Sequence, residues 1–301
     1  MRSINRLHER RSFFKYMPFD TAKIVLANTS LRWSSPIIFN DPFDVPRELL
    51  PDINEEHISR ALAQKLVTEL KNPRDNFNGI NLRLRGLLEL FQRAFPQGLT
   101  PEQIADFANF VANPPVGAGA SVAINELKEL WRVQLEGRRI LCLSESPLIL
   151  PMWNHYALQY TGIALEFACE DELESAWLRA KPIDYTDEKP LTYSAEGMAE
   201  LLFLEDGSGV KYLNDKITYI KTTAWAYEHE WRVSSYKRTE DAGLYSDFRF
   251  HPLELKSIIL GPQFDMAKLA SILELAKNYP NVSVQQATLN ARRDIFLEPI
   301  F

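Results

Sequence analysis

The chain has 301 residues, 46% hydrophobic and 25% charged, an ordinary globular composition that excludes a disordered or low-complexity protein. Its net charge of −6, from 34 basic and 40 acidic residues, argues against a broad non-specific grip on nucleic acid and leaves room only for a local basic patch. No run of about 18 apolar residues occurs, and the basic N-terminus MRSINRLHERRSFFKY lacks an apolar signal-peptide core, so the expectation is a cytoplasmic, bacterial-type protein with no membrane span.

Taken in order, residues 11–18 read as a first strand with Phe13, Phe14 and Tyr16 as apolar members. Asp20-Thr21 predicts a helix N-cap, followed by a short helix over Ala22 to Ala27. Leu31 to Ser35 alternates apolar and polar as a half-buried strand does. Asn40-Asp41-Pro42 then makes a rigid corner, because Asn and Asp bond nearby backbone N–H groups and Pro fixes φ.

From about Pro51 to Glu136 the spacing turns helical, with Ile58, Leu62, Leu66 and Leu70, then Leu84, Leu87, Leu88 and Phe91. Thr100-Pro101-Glu102-Gln103 carries an N-cap, a first-position Pro and an acidic first turn. Asn113 to Gly119 reads as a loop and Ile124 to Leu135 as a further helix. This stretch is a helical insertion of three to five helices between sheet-forming segments.

Arg138 to Phe167 is the organising unit: a strand at Ile140 to Leu143, a turn at Ser144-Glu145-Ser146-Pro147, an aromatic helix from Met152 to Tyr160, a break at Thr161-Gly162 and a strand at Ile163 to Phe167. Such a unit sets polar groups at the end of a sheet. Beyond it come a helix at Glu170 to Ala180, a strand at Ile183-Asp184-Tyr185, and helices within Tyr193 to Leu204 and Val210 to Leu213. Strands follow at Glu230 to Tyr236, Phe248 to His251 and Leu255 to Leu260, then an amphipathic helix from Met266 to Asn278 and a terminal strand at Val282 to Ala287. The expected fold is α+β: one domain over residues 1–301, a mixed or antiparallel sheet with surrounding helices and a helical insertion at about 51–136. Cys142 and Cys169 lie in apolar strand-like contexts, which predicts buried thiols and no disulfide.

For chemistry, the Glu228-His229-Glu230 segment stands out. On a strand, Glu228, Glu230 and Arg232 would share one face, with Tyr227, His229 and Trp231 on the other. Two buried carboxylates repel, so one would have a raised pKa or Arg232 would neutralise them, and such a pair suits acid/base work or a sugar hydroxyl. The bland alternative is a solvated strand face. His155 is either a core histidine or a catalytic one. Ser144 follows a buried strand but lacks a nucleophile elbow. Asn40 and Asp41 could touch a ligand or simply build their turn. Lys15, Tyr16, Lys221 and Arg232 could meet an anionic group if they converge. No phosphate-binding loop and no zinc-ligand spacing is present, so no metal is expected.

Several blocks in fixed order carry a resemblance: Phe14-Lys15-Tyr16, Phe39-Asn40-Asp41-Pro42-Phe43-Asp44, Cys142-Leu143-Ser144-Glu145, Met152-Trp153-Asn154-His155-Tyr156 with Gly162 to Phe167, Ile183-Asp184-Tyr185, and Lys221 with Trp225 to Arg232. Together they resemble the bacterial family known as domain of unknown function 2971. The chain departs from that pattern at Met17, often Arg there, and at Leu143, often Phe. The order of parts is also similar, as an analogy, to ADP-ribosyltransferases. That analogy implies NAD as substrate. Glu230 would then bind the ribose and stabilise an oxocarbenium-like transition state, and Glu228 would orient a protein or nucleic-acid acceptor. Lys15 or Tyr16 would meet ribose or phosphate, and Trp153 or Tyr156 would stack on nicotinamide. The alternative is a non-catalytic ligand- or partner-binding module serving phage defence or stress response.

Overall fold

The computed structural model describes residues 2–49, 54–72, 76–112, 114–205, 207–292 and 294–300. The chain divides into two compact units. The first takes Met1–Asn40, Gly137–Tyr185 and Tyr219–Phe301; the second takes Asp41–Glu136 and Thr186–Thr218.

The strands are β1 Ser12–Met17, β2 Ser30–Ser34, β3 Arg138–Ser144, β4 Ile163–Ala168, β5 Lys181–Pro182, β6 Asp184–Tyr185, β7 Ile220–Lys221, β8 Glu230–Tyr236, β9 Tyr245–Arg249, β10 Leu255–Leu260, β11 Ser283–Leu289 and β12 Ile295–Pro299. All belong to the first unit. Its main sheet runs β12-β11-β10-β4-β1-β3-β2-β9, with β8 paired to β3 and β5 to β8, and β6-β7 stands apart as a two-stranded pair. The β10-β11 pair is parallel, so the sheet is mixed and the fold is α+β. The helices are α1 Phe19–Asn28, α2 Glu55–Lys71, α3 Leu82–Ala94, α4 Pro101–Ala112, α5 Pro114–Gly137, α6 Leu150–Tyr156, α7 Ala195–Phe203, α8 Ser208–Asp215 and α9 Leu269–Ala276.

Strand β1 explains why alternation is weak in the sequence. Phe13 and Met17 enter the large core with Leu141, Leu143 and Leu165. Phe14 and Tyr16 enter a second core with Trp153 and Ile259 on the opposite face. A strand buried on both faces reads as nearly continuous apolar sequence. Strand β3 is the branch point. One edge pairs with β8 along its length, from Arg138 opposite Tyr236 to Ser144 opposite Glu230. The other edge meets β2 at Ile140 and β1 at Ser144. Cys142 lies between those bridges, where Lys15 donates its ammonium to the Cys142 carbonyl at 2.8 Å.

In the second unit, Leu62, Leu66, Phe77, Leu88, Phe107 and Phe203 form the core between helices. Helix α4 opens with the expected reciprocal cap. Gln103 N–H donates to Thr100 Oγ1 at 3.3 Å, and Thr100 N–H to Gln103 Oε1 at 2.9 Å. Leucines of α2, α3, α5 and α7 also line a cavity of about 620 Å³.

Several local expectations change. The expected loop after Asn113 is helical from Pro114, because proline is tolerated where the first-turn N–H needs no partner; Asn113 itself lies outside the described residues. Helix α1 starts at Phe19, which leaves Asp20 in the first turn facing the positive helix end instead of capping it. The aromatic helix stops at Tyr156, not Tyr160, because Leu158, Gln159 and Tyr160 all adopt positive φ. That left-handed turn is closed by Gly162 N–H to Ala157 O at 2.7 Å, and a Cβ at Gly162 would lie 2.8 Å from that same oxygen. Residues Glu170 to Ala180 form two short 3₁₀ turns and no helix. Glu174, at positive φ, separates those turns. Strand β12 follows β11, so β11 is not the last strand.

Candidate functional site

The site grows from one reversal of the chain. Residues Thr223–Glu228 make a 3₁₀ turn, and His229 caps it in the left-handed region at φ 46°. Strand β8 starts only at Glu230. Glu228 therefore does not share a strand face with Glu230, contrary to expectation. The reversal still brings both carboxylates to one cation. Lys221 donates to Glu228 Oε2 at 2.6 Å and to Glu230 Oε2 at 3.2 Å. Arg232 grips Glu230 with two bonds, Nε to Oε1 at 2.7 Å and Nη2 to Oε2 at 3.2 Å. Tyr156 donates its hydroxyl to Glu228 Oε1 at 2.5 Å. Tyr185 accepts the Glu230 backbone N–H at 2.8 Å. All four charged residues are buried, Arg232 completely. Half-buried Tyr156, Tyr185, Trp225 and Tyr227 lie around them.

The two carboxylates are tuned in opposite directions. Burial opposes the charge of both. For Glu230, the Arg232 guanidinium and Lys221 outweigh burial and hold its pKa down to about 2. For Glu228, burial wins over Lys221 and Tyr156, and the pKa is raised. Burial and the adjacent Glu228 charge raise the Tyr156 phenol, while burial raises Tyr185 to about 12. Burial raises the Cys142 thiol too, with the nearby Glu230 charge adding to it. Burial thus disfavours the charge of Glu228, while Arg232 and Lys221 favour that of Glu230.

The remaining expected residues divide. Ser144 is buried and donates to the Glu228 carbonyl at 2.8 Å, so it positions the turn and attacks nothing. Lys15 spends its ammonium on the Cys142 carbonyl. Tyr16 and Trp153 are core residues: their polar atoms bond the Ser146 and Pro147 carbonyls, both at 2.8 Å, and their rings pack edge to face at 5.0 Å. Tyr156, not Trp153, presents its ring at the cluster. His155 is exposed on the last turn of α6 and its Nδ1 meets the Tyr227 hydroxyl at 2.9 Å. Asn40 is an exposed residue of the first unit. Asp41 belongs to the second unit and accepts the Phe43 N–H at 2.8 Å, the turn-building bond expected of it.

Tyr185 and Glu145 carry no role assigned from the sequence, and Lys221, a candidate for an anionic group, carries none that joins it to the two carboxylates. In the sequence Glu145 stands between two serines with no sign of its partners. It proves to be a hub, receiving Arg10 at 2.8 Å, His229 Nδ1 at 2.8 Å and Trp231 Nε1 at 3.3 Å. Among the described residues no group of three or more His, Cys, Asp or Glu side chains could hold a metal ion, and no helix is long and apolar enough to cross a membrane.

No significant match was found among curated proteins or among solved structures. The model of the family described as Protein of unknown function (DUF2971) matches residues 152–233, the stretch that carries Tyr156, Lys221, Glu228, Glu230 and Arg232, so the family resemblance read from the sequence holds across the charged cluster itself.

Proposed function

We propose that the first unit binds a nucleotide-type ligand, NAD or a relative, over the aromatic rim of the Glu228–Glu230 cluster, and that it acts on it as an ADP-ribosyltransferase-like enzyme. The observation that carries this reading is the pairing of two buried carboxylates, Glu228 bonded by Tyr156 and Glu230 gripped by Arg232, with half-buried aromatic residues beside them. Aromatic faces suit a base or a nicotinamide ring, and a carboxylate suits ribose hydroxyls. The roles differ from those the analogy implies. Glu230 is held by a buried guanidinium on both oxygens, whereas Glu228 is held by a phenol and the Lys221 ammonium, so Glu228 is the better group to meet substrate and Glu230 the group that positions it.

A thermal-shift titration with NAD, ADP-ribose and ATP on wild type and Glu228→Gln tests the proposal. Wild type should be stabilised by NAD or ADP-ribose, by about 3 kcal/mol at one hundred times the dissociation constant. Glu228→Gln should lose NAD consumption in a preparation that still binds. Silence of wild type toward all three nucleotides would sink the reading. The second reading, a non-catalytic ligand- or partner-binding module for phage defence or stress response, is favoured by one observation. The oxygens of both carboxylates already have partners within the chain.

A further inference from the structure

The Lys221 ammonium sits where a ligand cation would sit. Its Nζ lies within hydrogen-bond distance of two carboxylates and 4.7 Å from the centre of the Trp225 ring. Two acids and an aromatic face make a receptor for a primary ammonium, through charge-assisted hydrogen bonds and cation–π attraction. The receptor and its occupant are anchored very differently. Glu230 and Arg232 belong to β8, which pairs with β3 over seven residues, and Ser144 ties down the Glu228 carbonyl. Lys221 belongs to a two-residue strand that pairs with the two residues of β6 outside the main sheet, a pair tied to β8 through the Tyr185 hydroxyl and the Glu230 N–H. A two-stranded ladder of that length is marginal by itself.

Charge counting gives the same division. With all four groups ionised, Arg232 and Lys221 balance Glu228 and Glu230. Arg232 is completely buried and held by two bonds, so it is a fixed part of the site. Moving Lys221 out leaves one net negative charge in a buried box, which a proton on Glu228 or another cation must offset.

We propose that Glu228, Glu230 and Trp225 form a binding site for a primary ammonium group, and that Lys221 is its resident cation, holding the site closed until a ligand's cation displaces it. This rests on the reading of the cluster as a ligand site; NAD carries no primary ammonium, so the amine belongs to a second ligand, and Lys221 is the group that gates its entry.

The test is calorimetric titration of wild type and Lys221→Ala with n-butylammonium, with n-butanol as the uncharged control. Lys221→Ala should bind n-butylammonium at least about ten-fold more tightly than wild type, a gap of about 1.4 kcal/mol. The double variant Lys221→Ala/Glu228→Gln should lose that gain. Equal binding by wild type and Lys221→Ala, or equal binding of butanol, would overturn the proposal. If Lys221→Ala does not fold, Lys221→Met keeps the aliphatic stem and removes the charge. That variant should be stabilised by ammonium over sodium at equal ionic strength, and no difference would overturn the proposal. NAD titrated in parallel separates the two claims: butylammonium binding without NAD binding removes the nucleotide reading alone, and the reverse removes the cation site alone.

Discussion

Two charge networks flank His229, and they differ in their access to water. On one side Lys221, Glu228, Glu230 and Arg232 have side chains at most 6% exposed. On the other, Arg10, Glu145 and His229 are 32%, 29% and 52% exposed. The bond lengths are alike, 2.6–3.2 Å in the first and 2.8 Å in the second. Geometry therefore does not rank them. Burial does, because water screens the second network and leaves each unpaired charge of the first stranded at a cost of several kcal/mol. The comparison also separates the two glutamates, since only Glu230 has a guanidinium strong enough to offset its burial.

The largest effect should come from Arg232→Met, which leaves Glu230 buried without its grip. A loss of about 3–5 kcal/mol in urea unfolding is expected. A loss below about 1 kcal/mol would mean that water reaches the cluster and the contrast is false.

The next effect distinguishes the two carboxylates by pH. Glu230 has its folded pKa depressed from 4.5 to about 2, so its stabilisation is complete above 4.5 and is lost as pH falls toward 2. Glu228 has its pKa raised from 4.5, so its contribution is complete below 4.5 and is lost as pH rises through the folded value. Glu230→Gln should flatten the stability profile on the acid side of 4.5, and Glu228→Gln on the other side. The same flattening from both variants would show that the pair titrates as equals.

Glu228→Gln should cost less than Arg232→Met, about 1–3 kcal/mol at neutral pH, because it weakens the hold on buried Lys221 but removes a carboxylate whose own charge burial disfavours. Glu145→Gln should cost less than about 1 kcal/mol, and added salt should shrink that further. The smallest change is expected from His229→Gly. Glycine relieves a left-handed residue by about 1 kcal/mol while the lost contact to Glu145 offsets it. A large loss there would make the half-exposed network as consequential as the buried one.

Much of the fold was legible because periodicity survives where one face is buried. Strand β10 appears at its expected residues, Leu255–Leu260, and β4 starts at Ile163 as read. The cap at Thr100 was legible because its chemistry is local. What failed was decided by backbone conformation and by contacts six to nine residues apart that exist only once the turns between them have formed. Alternation placed Glu228 on a strand face, but one left-handed residue at His229 moved it. Trp153 looked like a ligand wall, yet its indole N–H was claimed by the Pro147 carbonyl. Lys221 carried no local sign of its role, since its partners become neighbours only when β7 is laid beside the turn before β8.

The most direct measurement is a carboxyl-carbon NMR titration that follows Glu228 and Glu230 separately, assigned with the two Gln variants. The account expects Glu230 to titrate near 2 and Glu228 above the ordinary 4.5. Titration of both together near 4.5 would mean that burial and Arg232 do not divide the pair, and that Glu228 holds no special place in the site.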